Sequence, residues 1–226
     1  MPLYCVFITI DNVMIQTGGL KYTLLTDSLV SVNGREYAHE GSGSSLLTEL
    51  YRHQVDDWPR FFKMDNLSKT GFMATELLLK DMSSIETDSE DSGCLHAIAL
   101  FGSRASLHTD RTYQDTISDA DNFYPSPSLF VYTLPNIVTG EIAIRNHFLG
   151  ESVFYVMEHP DASVMAFHVN CLFQDCAVDS VLTGWVDCES GDSYHCFVTM
   201  VRRAAAGKPV YLEEELRKII DNLNNE

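Results

Sequence analysis

Short apolar runs alternate with longer amphipathic stretches along most of the chain. Runs rich in apolar and β-branched residues predict strands, at residues 3–10, 94–101, 152–157, 178–186 and 194–203. Helical spacing of apolar residues predicts helices, over 65–81, 109–120, 136–148, 162–174 and 211–223. Strands that alternate with helices predict an α/β domain, with a mixed, mostly parallel five-stranded sheet and helices on both faces.

Polar and turn-forming residues separate these elements. Residues 17–44 are rich in Gly, Ser, Thr and Asn and predict a loop or an irregular hairpin, and the acidic, serine-rich residues 82–93 predict a surface loop. Pro125 and Pro127 predict an extended passage, because each proline disfavours helix at the residue before it. Asp161 is predicted to cap the helix that follows it. Because no repeat is found, one domain is expected over residues 1–226.

The charge balance narrows the range of partners. The formal net charge is −17, from 32 acidic and 15 basic residues, which excludes a phosphate backbone as the expected ligand. No apolar run reaches the ~20 residues of a membrane span. The N-terminus has no basic residue before its apolar run, so no secretory signal is expected. The sequence therefore predicts a cytoplasmic protein that binds neither nucleic acid nor membrane.

The cysteines and histidines do not show metal-ligand spacing. The closest pairs of this kind are Cys171 with Cys176 and the adjacent His195 and Cys196, and no Cys-x-x-Cys pair occurs. Cys5, Cys94 and Cys196 lie in apolar runs, where a free cysteine behaves as a small apolar residue. We expect neither a metal nor a cofactor.

Residues 126–150 carry the most specific pattern in the chain. Within them, Pro127–Asn136 fits Pro-x-x-Phe-x-x-Thr-x-x-Asn, and Leu149-Gly150 ends the segment. This stretch resembles the one that leads to the catalytic cysteine of β-ketoacyl synthases. The resemblance runs from the first predicted strand to about residue 203. It implies a thiolase-like layered fold, as a single N-terminal half.

The chain departs from that family at the reaction centre. Counting from Gly150, the family's nucleophilic cysteine falls at or next to His159, beside Glu158. The chain also ends soon after the first half, without the two histidines that polarise the incoming carbonyl in the family. The resemblance therefore implies a ketosynthase frame with no catalytic residue.

The resemblance implies a function for such a frame. The chain is similar to the short chain-length-factor-like proteins of aryl-polyene and type II polyketide clusters, which pair with an active ketosynthase. By that likeness residues 153–157, which are Val153, Phe154, Tyr155, Val156 and Met157, form the dimer edge. Four residues would line the acyl tunnel, or alternatively only pack in the core: Phe130, Tyr132, Thr133 and Asn136.

Two alternatives to that function stay open. One is an acyltransferase or ketosynthase-like enzyme that uses Glu158 and His159, or a displaced cysteine. The other is a homodimeric acyl-binding module. The expected partner is a full-length β-ketoacyl synthase or a second copy of the chain. An acyl carrier protein, itself acidic, is expected to take part only indirectly.

Overall fold

The computed structural model describes residues 20–82, 95–121, 123–203 and 212–224. The predicted strand at 3–10 and nearly all of the predicted acidic loop, residues 83–93, lie outside the described residues. The described part contains one seven-stranded sheet of order β3-β2-β1-β7-β6-β4-β5. The strands are β1 Tyr22–Thr26, β2 Val30–Val32, β3 Arg35–Glu36, β4 Leu95–Gly102, β5 Ser152–Val156, β6 Val178–Cys188 and β7 Tyr194–Arg202.

The α/β class and layered fold are confirmed, but the sheet differs from its prediction. It has seven strands and not five, and antiparallel pairs predominate. β4 pairs in parallel with both β5 and β6, whereas β6–β7, β7–β1, β1–β2 and β2–β3 are antiparallel. The difference arises because residues 17–44 were expected as a loop or irregular hairpin. They contribute three short strands that add to β7 as a meander.

Helices cover both faces of the sheet. They are α1 Gly43–Gln54, α2 Asn66–Asp81, α3 Leu107–Asp115, α4 Pro127–Val131, α5 Ile137–Asn146, α6 Ala162–Leu172 and α7 Leu212–Asn224, with a 3-10 helix at Pro59–Lys63. Helices α1, α2 and α5 pack on one face of the sheet and bury one core cluster. Helices α6 and α7 pack on the other face and bury a second core cluster. No helix in the described ranges is long and apolar enough to cross a membrane.

Most predicted helices are present with shifted ends, but α1 and α4 were not predicted. The expected extended passage around Pro127 is wrong from that residue on. Pro127 occupies the first turn of α4, where a missing N–H costs no helical bond, and the Ser126 side chain accepts from the Leu129 N–H at 3.3 Å. Asp161 caps α6 as predicted, because its Oδ1 accepts from the N–H groups of Ser163 and Val164 at 2.8 and 3.0 Å.

A buried carboxylate fixes the turn after β4. Asp187 on β6 is 2% exposed, and its Oδ1 accepts from the N–H groups of Ser103 and Arg104 at 3.0 and 2.9 Å. The Ser103 hydroxyl donates to Oδ2 of the same carboxylate. The turn thereby satisfies both oxygens of the Asp187 carboxylate. This turn leads the chain from the central sheet towards α3 and α4.

Candidate pairing edge and nucleophile position

Strand β5 is an edge of the described sheet. Ile98 N–H donates to the Glu151 carbonyl at 2.8 Å, and Met157 N–H donates to the Gly102 carbonyl at 3.0 Å. In a parallel ladder, alternate residues bond to the same neighbour. Within the strand, the backbone groups of Ser152, Phe154 and Val156 therefore point away from β4. They form a row of hydrogen-bonding groups open to another strand.

The side chains of β5 alternate between the two cores. Phe154 packs against the cluster under α2 and α5, whereas Val153, Tyr155 and Met157 pack against the cluster under α6. Each of the four is only half-buried, and Val156 is 61% exposed. The five residues predicted as a dimer edge thus lie on the open side of the sheet. Their role in dimerisation stays a prediction.

The chain comes very close to β4 just before β5. Gly150 N–H donates to the His96 carbonyl at 3.0 Å, and a Cβ on Gly150 would lie 2.6 Å from that carbonyl oxygen. A real Cβ contact is never that short, so only glycine lets the chain enter β5 here. The backbone packing therefore explains why position 150 is glycine, independently of any resemblance.

Exposed apolar side chains concentrate in one part of the sequence, from α3 to α6. Twelve large apolar residues are exposed among those described, and eleven of them lie between Leu107 and Phe167. They fall in α3, in α4 and its flanks, on α5, around β5 and on α6: Leu107, Phe123, Tyr124, Phe130, Val131, Leu134, Ile144, Leu149, Val156, Val164 and Phe167. Contiguous exposed apolar surface marks interaction sites, so the elements around β5 are candidates for one.

The position predicted for the family's cysteine lies between β5 and α6. Glu158 and His159 are both exposed there, in a turn that precedes the capping residue Asp161. A thiolate at a helix N-terminus is stabilised by the free N–H groups of the first turn. In this chain the Asp161 carboxylate already takes two of those N–H groups. The helix end is thus satisfied without a nucleophile.

The described cysteines do not replace that nucleophile at the helix start. Cys171 is exposed near the end of α6, and Cys176 is exposed beyond it. Burial raises the pKa of Cys188 to about 12 and raises the pKa of Cys196 far above its usual range. Both buried thiols therefore stay protonated and act as packing groups. Cys5 and Cys94 lie outside the described residues.

The four predicted tunnel residues lie in and after α4 and make different contacts among the described residues. Phe130 is 56% exposed and its ring centroid lies 5.5 Å from that of Tyr113 on α3. Thr133 Oγ1 donates to the Phe130 carbonyl at 2.7 Å, and the Thr133 carbonyl accepts from Ser106 Oγ at 2.6 Å. Asn136 is exposed, and its carbonyl accepts from Thr139 Oγ1 at 2.8 Å.

Tyr132 alone of the four lines an open groove of about 610 Å³. The other lining residues combine two cations with apolar and hydroxyl groups: Arg60, Phe62, Lys63, Ser128 and Val131. Phe130 is not among the residues that line this groove. The role of these four residues in an acyl tunnel stays a prediction.

A buried carboxylate beneath this groove was not predicted. Glu141 on α5 is 3% exposed, and its Oε1 accepts from Tyr132 Oη at 3.1 Å and from Arg60 Nη2 at 2.9 Å. Burial, and then the Glu141 charge, raise the pKa of Tyr132 to about 12, so the phenol remains a donor. The other carboxylate oxygen of Glu141, Oε2, has no hydrogen-bond partner among the described residues. The only sequence signal was an acid beside the apolar Ile142 of α5.

Solved structures share this fold, although no protein-family model and no curated protein sequence matches the chain. The ishigamide ketosynthase/chain length factor structure is 16% identical with a TM-score of 0.59, over 88% of this chain and 64% of that one. The ketosynthase ApeO in complex with its chain length factor ApeC from Xenorhabdus doucetiae gives 11% identity and a TM-score of 0.52, over 94% of this chain and 92% of that one.

A third similar structure is a β-ketoacyl synthase from Burkholderia phymatum STM815, at 12% identity and a TM-score of 0.55, over 85% of this chain and 59% of that one. The chain thus spans less than two thirds of the matched ishigamide and Burkholderia chains, but nearly all of the chain matched in the ApeO–ApeC structure. It has the thiolase-like fold seen in ketosynthase and chain length factor structures.

Proposed function

We propose that this chain is a non-catalytic, chain-length-factor-like subunit that pairs through β5 with an active β-ketoacyl synthase. One observation carries the proposal: the junction of β5 and α6. An open edge strand with an apolar centre leads there to His159, at or next to which the resemblance expects a cysteine. The helix that follows is capped by Asp161. The similar structures include ketosynthase and chain length factor complexes, which is consistent with such a pair.

The proposed role in the pair is to shape the partner's acyl tunnel, in polyene or fatty acyl biosynthesis. Phe130 and Leu134 are exposed, so they are free to meet a second chain. The neighbouring Thr133 and Asn136 hold the backbone of the same segment through local hydrogen bonds. Because Phe130 and Leu134 are exposed while Tyr132 is held by Glu141, we place the measuring surface at the interface, with Phe130 at its centre and Tyr132 behind it.

The pairing is tested by capture from the native cell with the tagged chain. The expected partner is a full-length ketosynthase whose condensing activity depends on this chain. Val156→Pro removes an outward N–H and should weaken capture at least ~10-fold, because strand addition depends on main-chain hydrogen bonds. Val156→Thr keeps the N–H and the branched side chain, and should capture as the wild type does. Equal capture by both variants contradicts pairing through β5.

The measuring role is tested in the active pair. Phe130→Ala should give longer acyl products, because it removes bulk from the proposed end of the tunnel. Phe123→Ala is the matched control, since Phe123 is equally exposed, at 57% against 56%, but lies outside the predicted tunnel residues. An unchanged product distribution with Phe130→Ala contradicts the measuring role.

The enzymatic alternative has a separate test. The isolated chain is incubated with a labelled acyl thioester and analysed for covalent label by mass spectrometry. No label is expected, because neither Glu158 nor His159 is a thiol and the helix start is capped. Labelling at Cys171 or Cys176 that is lost on substitution to serine would instead favour an acyltransferase.

A further inference from the structure

The open edge is apolar in the middle and negative at both ends. Glu151 directly precedes β5 and Glu158 follows it closely, and both side chains are exposed. The sequence has no lysine or arginine from residue 146 to residue 201. The nearest cation before this stretch, Arg145, is bound to Asp57 at 2.7 Å and to Glu76 at 3.2 Å. No lysine or arginine of this segment offsets the two carboxylates.

Self-pairing of this edge would bring like charges together. A two-fold axis through Phe154 would pair β5 with β5 of a second copy in antiparallel orientation. Glu151 of one copy would then lie opposite Met157 of the other, one position from its Glu158. By symmetry the same meeting occurs at the other end. Glu158 lies beyond the end of β5, so the repulsion acts through space between nearby carboxylates, and at low salt like charges within a Debye length repel. Two such meetings would occur.

We infer that these carboxylates make β5 select a different chain over a second copy. The inferred partner has an apolar edge strand with lysine or arginine near its two ends. This inference rests on the proposed function, in which β5 is the pairing edge. It decides between the two occupants that the sequence left open, a ketosynthase and the chain itself, in favour of a heterologous chain with those charges.

The chain itself supplies a defined probe for this selectivity. The double variant Glu151→Lys and Glu158→Lys carries cations at the ends of the same apolar edge. Sedimentation of wild type, of the double variant and of their equimolar mixture measures the three dissociation constants. At about 20 mM salt we expect the mixed pair to be tighter than either self-pair by at least ~10-fold, and the difference to shrink at about 500 mM salt.

Two controls confine the effect to the edge and to charge. Adding Val156→Pro to both chains should abolish the mixed pair, because the outward N–H is lost. The neutral variant Glu151→Gln and Glu158→Gln should self-associate more tightly than the wild type. Circular dichroism checks that each variant keeps the fold.

The inference is overturned if the mixture associates no more tightly than the parents, including the case in which nothing associates. This outcome is separate from failure of the proposed function. Capture of a ketosynthase together with a negative mixing result would keep the pairing and reject the role of these charges. A positive mixing result without ketosynthase capture would keep the selective edge and reject the ketosynthase as its partner.

Discussion

The β3 edge of the sheet has two residues, Arg35 and Glu36, both charged and exposed, whereas the β5 edge has five residues and an apolar centre. Short, charged edges are a common protection against unwanted strand pairing. The β5 edge lacks that protection along its length and carries charge only beyond its ends. The contrast indicates that the β3 edge is protected against pairing with other chains, whereas the β5 edge is available to a specific partner strand.

The largest expected effect is a difference in the free energy of unfolding between variants on the inward and outward sides of β5. Val153→Pro removes an N–H that the parallel alternation directs towards β4, and should lower the free energy of unfolding by about 2–4 kcal/mol. Val156→Pro removes an outward N–H and should change it by no more than about 1 kcal/mol. Urea unfolding of both variants makes the comparison. Equal losses would mean that the outward groups of β5 are not free.

A smaller effect is expected from the buried carboxylate on α5, the helix that packs on β4 and β5. Tyr132→Phe removes a donor to Glu141 and should cost about 1–2 kcal/mol at neutral pH. Because the folded-state pKa of Tyr132 is raised to about 12, its stabilising effect is present below the unfolded value of about 10 and is lost as pH rises through about 12.

Urea unfolding between neutral and alkaline pH checks that prediction. The difference in the free energy of unfolding between wild type and Tyr132→Phe should become smaller as pH rises. Tyr124→Phe is the control, since Tyr124 is 77% exposed and should show neither the loss nor the narrowing. A constant difference across the pH range would mean that the phenol proton does not matter to the fold.

The smallest effect on stability is expected at the β3 edge. The double change Arg35→Val and Glu36→Val should alter the free energy of unfolding by only about 0.5 kcal/mol, because both side chains are exposed. It should nevertheless promote concentration-dependent association, which light scattering detects, since the edge loses its charges. If the variant stays monomeric, the short length of β3 alone protects this edge.

Sequence patterns located most helices and strands but did not show which strands are neighbours in the sheet. The run Ser152–Val156 predicted a strand, which the structure confirms, yet its apolar residues fit an interior strand as well as an edge. Strand order depends on which elements pack together across the whole chain. The sheet was also expected to be mostly parallel because β1, β2 and β3 are short and lie in a stretch rich in turn-forming residues.

Features of the site could be predicted only where the residues involved are close together in the sequence. The cap at Asp161 follows from adjacent residues and was predicted. Glu141 was missed because its partner Arg60 lies 81 positions away in the chain. Phe130 and Tyr132 were grouped as tunnel residues; Phe130 lies near Tyr113 and Tyr132 bonds to Glu141, and their tunnel role stays a prediction. A five-residue helix beside two prolines gives too little periodicity to be recognised.

Hydrogen–deuterium exchange of the β5 amides tests the central claim most directly. In the isolated monomeric chain, the amides of Ser152, Phe154 and Val156 should exchange quickly, while that of Met157, bonded to Gly102, should exchange slowly. In the complex with the captured ketosynthase, the three outward amides should become slow as well. Outward amides that are already protected in the monomer, or that stay fast in the complex, would contradict a β5 edge completed by a partner strand.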